Sequence, residues 1–547
     1  MATNSIITGT FVVYLIGVML IGVYASRITN TAEDYLLGGR GLNVFWATMS
    51  EQASVWSGWL TVGFPGMVYS SGLQGIWWFF WTVPGNILAW GTVAKRLSRY
   101  TRILKALTLP EFLGRRYGNN TKSVILIAAA GAAYFYFFYV AAQILAGANA
   151  IAGGLGFSFN VGFAITITIV LLYTMIGGFI AVSLTDVIQG ILMMVFAIVV
   201  PIAAVSHLGG FTATMTQFNE VGTAAQTSWT AGMQGPQLWL TIIAVAAFGI
   251  PFLAQPHGVT RYMSLEKPSQ IGYGMLVMAA FATVALVGVP FLGIGGQVMY
   301  PNIENVDLIA PMLIKSLLPP WAAGILLAAI IAAVMSTADS QLLVVGSTIG
   351  EDVFRGIYDP EASERAALWV TRAAVAVSGI IAAYIAYTTP DTVFKAVAFA
   401  WGGLGTTFAP ALVAALWWKR ANGYGAIASM LVGFGGAAYY HFASGGPMLA
   451  GKGLFDYYFV GPVLLAATIT LIVVSLLTGE PKDGVESELT EISKPLTEEV
   501  DLARKEEGQV SVEGPASAEI IPVKEEEVVS KFLSNFALSG LPTVAES

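Results

Sequence analysis

The chain of 547 residues contains no cysteine, and charged residues make up only 11% of it. The first absence excludes disulfides and thiol chemistry and leaves the redox compartment open. The second, set against 56% hydrophobic residues, excludes the soluble classes and points to a polytopic membrane protein. Histidine is scarce, with three in the chain; His207 and His441 have no partner pattern, and His257 reads as structural. No nucleophile–base or metal constellation is visible, so an enzyme is not expected. No Walker motif occurs, and Gly38-Gly39-Arg40-Gly41 lacks the strand–helix setting of a phosphate loop. ATP is therefore not the expected driving force.

The apolar residues fall into about thirteen stretches of membrane-crossing length, near 5–25, 43–70, 74–94, 123–152, 160–180, 185–207, 237–257, 271–299, 320–348, 367–388, 392–418, 423–443 and 457–478. The expected class is an all-α multi-pass membrane protein. The first stretch follows Met1-Ala2-Thr3-Asn4, which has no basic residue, and reads as a retained helix rather than a signal peptide. Seventeen Lys and Arg fall in alternate loops, from Arg27 through Arg261 to Arg420, against three in the others: Lys315, Lys395 and Lys452. This bias predicts a plasma-membrane protein with its N-terminus outside and its C-terminus in the cytoplasm. The cluster Lys95–Arg102 with Arg115 and Arg116 flanks these stretches and suits membrane lipid headgroups rather than nucleic acid.

Residues 479–547 differ in kind: six Lys and Arg against sixteen Asp and Glu, net −10, while residues 1–478 are net +3. That composition predicts a disordered or loosely helical acidic cytoplasmic tail. Within it, Val528, Val529, Phe532, Leu533 and Phe536 share one helical face.

Polar groups inside the apolar stretches carry the functional signal. Around 320–348 the chain reads Ala333-Val334-Met335-Ser336-Thr337-Ala338-Asp339-Ser340-Gln341. A charged side chain at the membrane centre costs roughly 2.5–3.5 kcal/mol or more, so it marks an ion or solute pathway. Ala333, Ser336, Thr337 and Ser340 share one face at i, i+3, i+4 and i+7. Their hydroxyls and carbonyls are hard, neutral donors that suit an alkali cation.

Two stretches carry interruptions. One contains the polar run Met49-Ser50-Glu51-Gln52-Ala53-Ser54-Val55-Trp56-Ser57-Gly58-Trp59, the other Phe248-Gly249-Ile250-Pro251-Phe252-Leu253-Ala254-Gln255-Pro256-His257. Pro251 removes a backbone donor and forces a bend. The two breaks lie five spans apart, which predicts two inverted five-helix repeats with a site between the broken helices, as in alternating-access transporters. The expected divisions are 1–42, a leading helix and loop; 43–207, the first repeat; 208–236, an external loop; 237–418, the second repeat; 419–478, two trailing helices; and 479–547, the tail.

Tyr35-Leu36-Leu37-Gly38-Gly39-Arg40, Leu109-Pro110-Glu111-Phe112, Gly177-Gly178-Phe179-Ile180-Ala181-Val182-Ser183, Gln255-Pro256-His257 and the Ala333–Leu343 run together resemble the sodium/solute symporter family, in particular its sodium/proline symporters. The resemblance implies the leucine-transporter fold, Na+ as coupling ion, no organic cofactor and a small-molecule solute, with a monomer sufficient. It places a sodium site on Ala53, Trp56, Ala333, Ser336 and Thr337, and a second on Asp186, Ser336, Asp339 and Ser340. The solute cavity falls on Ser57, Gly58, Trp59, Tyr139, Phe248, Phe252, Gln255 and Pro256. Arg40, beside the cytoplasmic mouth, reads equally as part of an intracellular gate or as a topology-setting charge. Asp186 also reads as a cap of its own helix. Proline carriers have an aspartate where Val55 stands, and Trp and Tyr where Phe248 and Phe252 stand. Alternatives to proline are a monocarboxylate, pantothenate or a sugar. Rival readings are proton coupling through Glu51 and Asp339, and a transporter-like sensor or channel. Trp77, Trp78 and Trp81 read as an interfacial belt.

Overall fold

The computed structural model describes residues 2–26, 32–118, 120–176, 178–389, 391–444 and 458–494. Arg27, Gly177, Lys452 and the Val528–Phe536 face lie outside them. The regular elements among the described residues are all helices, without a β-strand; one isolated parallel bridge joins Leu42 and Leu265.

Among the described residues, eight helical runs are long and apolar enough to cross a membrane, from Thr121–Leu155 to Val460–Leu477. Helix also occupies the other five stretches read from sequence, but in shorter or interrupted pieces or with a less apolar composition. The stretch at 43–70 divides into Val44–Gly58 and Phe64–Ser71, and 74–94 into Ile76–Phe80 and Thr82–Ala89. Two runs are central: 83% of the apolar window in Pro320–Tyr358 and 89% of that in Val393–Trp417 is buried by protein. Val460–Leu477, at 28%, faces outward, as a trailing helix should.

Both interruptions are real. The first helix starts on Asn43, whose Oδ1 accepts the Phe45 and Trp46 amides at 2.8 and 3.3 Å. It ends at Ser57, a non-glycine residue at φ 48°, a conformation that persists only where its surroundings hold it. The second interruption is the 3₁₀ stretch Ala247–Ala254, containing Pro251. A helix resumes at Pro256–Met263, with Gln255 extended between them. Close packing of glycines holds this break. A Cβ on Gly85 would stand 2.1 Å from the Gly249 carbonyl oxygen, and one on Gly249 2.3 Å from that of Trp81.

The two ends of the bundle are tied differently. At the basic end, Leu42 N–H donates to Ser264 O at 3.1 Å and Glu266 N–H to Leu42 O at 2.8 Å. Arg40, itself at φ 53°, donates to Glu33, Thr101, Met263 O and Ala106 O at 2.7–3.1 Å. Burial pushes its pKa down, opposed by Glu33. Arg40 thus ties its loop to the end of the second broken helix. At the opposite end, Tyr69 OH donates to Tyr300 O at 2.6 Å. Asp307 accepts the Val393 amide at 2.9 Å, at the start of a central helix.

The tail expectation needs correction at its start. Val485–Ser493 is a helix whose Val485 and Ile492 are 2% and 1% exposed. Arg99 donates to Ile492 O at 2.9 Å, Tyr100 OH to Glu488 at 2.6 Å, and Lys419 pairs with Glu486 at 2.7 Å. The boundary at 479 followed charge, but two apolar residues seven apart fix this segment on the bundle.

Candidate cation and solute site

The polar face of the Pro320–Ser347 helix meets the first break. Ser336 Oγ donates to the Ala53 carbonyl at 2.9 Å, and Thr337 Oγ1 to that of Ser54 at 2.8 Å. Both hydroxyls also approach the Ala333 carbonyl, at 3.1 and 3.2 Å. All these residues are fully buried. Four of the five residues expected for a sodium site therefore come together. The fifth, Trp56, uses its carbonyl within the turn, accepting the Trp59 amide. Ser54, which sequence reasoning left out of this set, supplies a carbonyl instead. Three carbonyls and two hydroxyls form a neutral oxygen set that fits an alkali cation.

The residues expected for a second cation are arranged otherwise. Asp339 Oδ1 accepts the Thr174 hydroxyl at 2.7 Å, while its Oδ2 has no hydrogen-bond partner. Asp186 faces elsewhere: its Oδ2 accepts Ser50 at 2.6 Å, Ser54 at 3.2 Å and Arg261 Nη2 at 2.9 Å. Arg261 also donates to Ser340 at 2.6 Å. The four residues thus do not close on one open position, because a guanidinium stands among them. Arg261 counted as a loop charge in the sequence; the structure places it on Pro256–Met263, 1% exposed.

The expected solute wall gathers around the second break as packed rings. Trp59 lies 5.9 Å from Phe248 edge to face, Trp56 6.0 Å from Phe252, and Tyr139 6.1 Å from His257, ring centre to ring centre. Trp401 completes the wall: its ring is 4.6 Å from Phe252, and its indole N–H donates to the Phe248 carbonyl at 3.0 Å. Gln255 Nε2 donates to the Trp401 carbonyl at 3.1 Å. Pro256 begins the resumed helix and is buried.

Gln143 holds Ser57 and Gly58. Its Oε1 accepts the Gly58 amide at 2.8 Å, and its Nε2 reaches Ser57 Oγ at 3.4 Å. Neither Gln143 nor Trp401 stood out in the sequence, where each is one residue of a long helix without a motif. Of the three tryptophans read as a belt, Trp78 instead packs 5.5 Å from Phe248. His257 is bonded to Tyr136 through Nδ1 at 2.9 Å, in keeping with a structural role.

Glu51 is 1% exposed and receives Trp90 Nε1 and Tyr262 OH, each at 3.4 Å, besides the neighbouring Gln52 amide. A Cβ on Gly258 would lie 3.3 Å from Val55 and 3.9 Å from Glu51 Oε1, so these side chains, one turn apart, face the same glycine.

A family model described as "Sodium:solute symporter family" matches residues 35–433. A sodium/proline symporter of Haemophilus influenzae is 35% identical over 485 residues, 87% of this chain and 95% of the relative. The "High-affinity proline transporter PutP" of Bacillus subtilis is 32% identical over 486 residues, 88% of this chain and 100% of the relative. Among solved structures, a Na+-coupled sialic acid symporter in a substrate-bound outward-open state superposes with a TM-score of 0.73 at 21% identity, over 87% of this chain and 99% of that one. At that identity the likeness speaks for the fold, the all-helical leucine-transporter type.

Proposed function

The chain belongs to the sodium:solute symporter family, and from that premise we propose that it imports proline or a related small amino acid together with Na+ by alternating access. The observation that carries this reading is the meeting of Ser336 and Thr337 with the carbonyls of Ala53 and Ser54 across the first break. A helix that ends at membrane depth leaves carbonyls without helical partners, and a cation is their natural ligand. When bound there, Na+ would rest on Ala53, Ser54, Ala333, Ser336 and Thr337 and would bridge the broken helix to Pro320–Ser347. One Na+ entering down 100 mV contributes about 2.3 kcal/mol, enough for roughly fortyfold accumulation of solute.

Proline as the solute is supported by the names of the two relatives and by the aromatic wall of Trp59, Phe248, Phe252 and Trp401. Such a wall favours a compact, largely apolar zwitterion, because each unpaired sugar hydroxyl would cost roughly 1–3 kcal/mol on desolvation. The orientation that accompanies this reading has the N-terminus outside, the basic end of the bundle in the cytoplasm, and Arg40 at the inner gate. The monomer holds every residue invoked.

Uptake of a panel of labelled solutes into proteoliposomes, with Na+ and H+ gradients imposed separately, tests the proposal. Proline uptake driven by the Na+ gradient is expected, with hexoses inert. Uptake driven by the H+ gradient without Na+ would replace this reading with a proton relay.

A further inference from the structure

Arg261 is buried and makes five side-chain hydrogen bonds, and sodium coupling as proposed gives it no task. Its Nε donates to Ser50 Oγ at 3.0 Å and its Nη1 to the His257 carbonyl at 2.7 Å. Its Nη2 donates to Ser54 Oγ, Asp186 Oδ2 and Ser340 Oγ at 3.0, 2.9 and 2.6 Å. The guanidinium also lies 5.2 Å from the Phe179 ring. Its acceptors are three hydroxyls, one carboxylate and one carbonyl. That is an oxygen set of the kind that coordinates a hard monovalent cation, here closed on a cation belonging to the chain.

The acceptors come from separate elements: Ser50 and Ser54 from the first broken helix, Asp186 from Phe179–His207, and Ser340 from Pro320–Ser347. Arg261 itself rides on the second broken helix. The cluster joins the sodium shell through two residues. The Ser54 carbonyl accepts the Thr337 hydroxyl, and the Ser54 hydroxyl lies within hydrogen-bond distance of Asp186 Oδ2 and Ser340 Oγ. The Ser336 carbonyl accepts the hydroxyls of Ser54 and Ser340. A small cavity lined by Leu36, Thr108, Pro256, Arg261, Ser340 and Ser347 connects the cluster with residues of the basic end.

We propose that Arg261 is a tethered cation standing where a second sodium would otherwise bind, so that this carrier moves one Na+ per solute. The proposal rests on the sodium-symport reading and sets its stoichiometry. With Arg261 in place, Asp186 is neutralised and its partners are used. A second Na+ would have to sit beside a buried guanidinium that already occupies Asp186 Oδ2 and the Ser54 and Ser340 hydroxyls, with the unpartnered Asp186 Oδ1 and Asp339 Oδ2 left to face it, which electrostatics and ligand count both disfavour. Without the guanidinium, Asp186 with Ser50, Ser54 and Ser340 becomes an anionic oxygen cluster open to Na+. Because Arg261 is fixed to the second broken helix, its grip on the first is also a link that any relative movement of the two must break.

The test uses the full-length purified protein. Thermal unfolding is followed against NaCl, with choline chloride holding ionic strength constant, for wild type, Arg261→Gln and Arg261→Gln with Asp186→Asn. Wild type should show one saturable sodium response. Arg261→Gln should start less stable in choline and gain a second sodium response, which the added Asp186→Asn removes. No difference in sodium response between Arg261→Gln and the double variant would overturn the proposal. Should Arg261→Gln not fold, Arg261→Lys carries the test in proteoliposomes, through the ratio of ²²Na+ to solute taken up. Wild type and Arg261→Lys should both give a ratio of about one, and a wild-type ratio near two would overturn the proposal. Solute uptake indifferent to Na+ in wild type would instead overturn the symport reading beneath it.

Discussion

The two helix breaks are built for different work. The first, at Ser57, is polar: its free carbonyls meet hydroxyls of a facing helix, and Gln143 occupies the Gly58 amide. The second, at Ala247–Ala254, is apolar: Pro251 makes it, glycine packing holds it, and its exposed backbone is met by one indole, that of Trp401. A carbonyl at membrane depth needs a partner, and hydroxyls that can turn toward an ion make that partner exchangeable. An indole held by ring packing is not so easily exchanged. On the proposed function, the contrast gives ion binding to the first break and solute shape to the second.

The largest effect should come from the first break. Removing both hydroxyls, Ser336→Ala with Thr337→Ala, leaves a cation two ligands short, at about 1–3 kcal/mol each. The sodium concentration for half-maximal uptake should rise at least tenfold for either change and further for the pair. An unchanged requirement in a normally expressed double variant would erase the distinction between the breaks. At the second break, Phe252→Ala removes the ring packed on Trp401, a loss of roughly 3–5 kcal/mol of packing in a filled core. Solute affinity should fall tenfold or more with the sodium requirement little altered, whereas Phe252→Tyr should be tolerated. A sodium effect equal to the solute effect would show that the two breaks share one task.

Much of this was legible in the chain. The spacing of Ala333, Ser336, Thr337 and Ser340 places their oxygens on one face whatever the fold, and Pro251 must break a helix wherever it lies. What the sequence hid depends on partners distant in the chain. Gln143 and Trp401 become significant only when their helices pass Gly58 and Phe248. Arg261 was counted with the loop charges, because a basic residue near the end of an apolar stretch reads the same whether it meets lipid headgroups or Asp186. The docking of Val485–Ser493 was hidden for a related reason: composition reports net charge, not the two buried side chains of that helix.

Smaller effects should appear outside the membrane-spanning helices. Burial pushes the Asp307 carboxyl up to about 7; the Val393 amide opposes the shift and Asp391 adds to it. The native state therefore holds this proton more tightly than the unfolded chain does, so its contribution to stability is present below about pH 4 and is lost as pH rises toward 7. Thermal stability should decline across that window in wild type, and the decline should be shallower in Asp307→Asn. The smallest change is expected for Glu486→Gln. Its pair with Lys419 is exposed on both sides, and solvent and salt screen such a pair strongly. Any shift in melting temperature should vanish in high salt.

The central claim is that the oxygens between the first break and the Ser336–Thr337 face bind the coupling ion. Equilibrium binding of ²²Na+ to the purified protein tests it without transport. The account predicts saturable binding in wild type, weakened at least tenfold by Ser336→Ala or Thr337→Ala and unaffected by Phe252→Tyr. Wild-type affinity in both hydroxyl variants would contradict it.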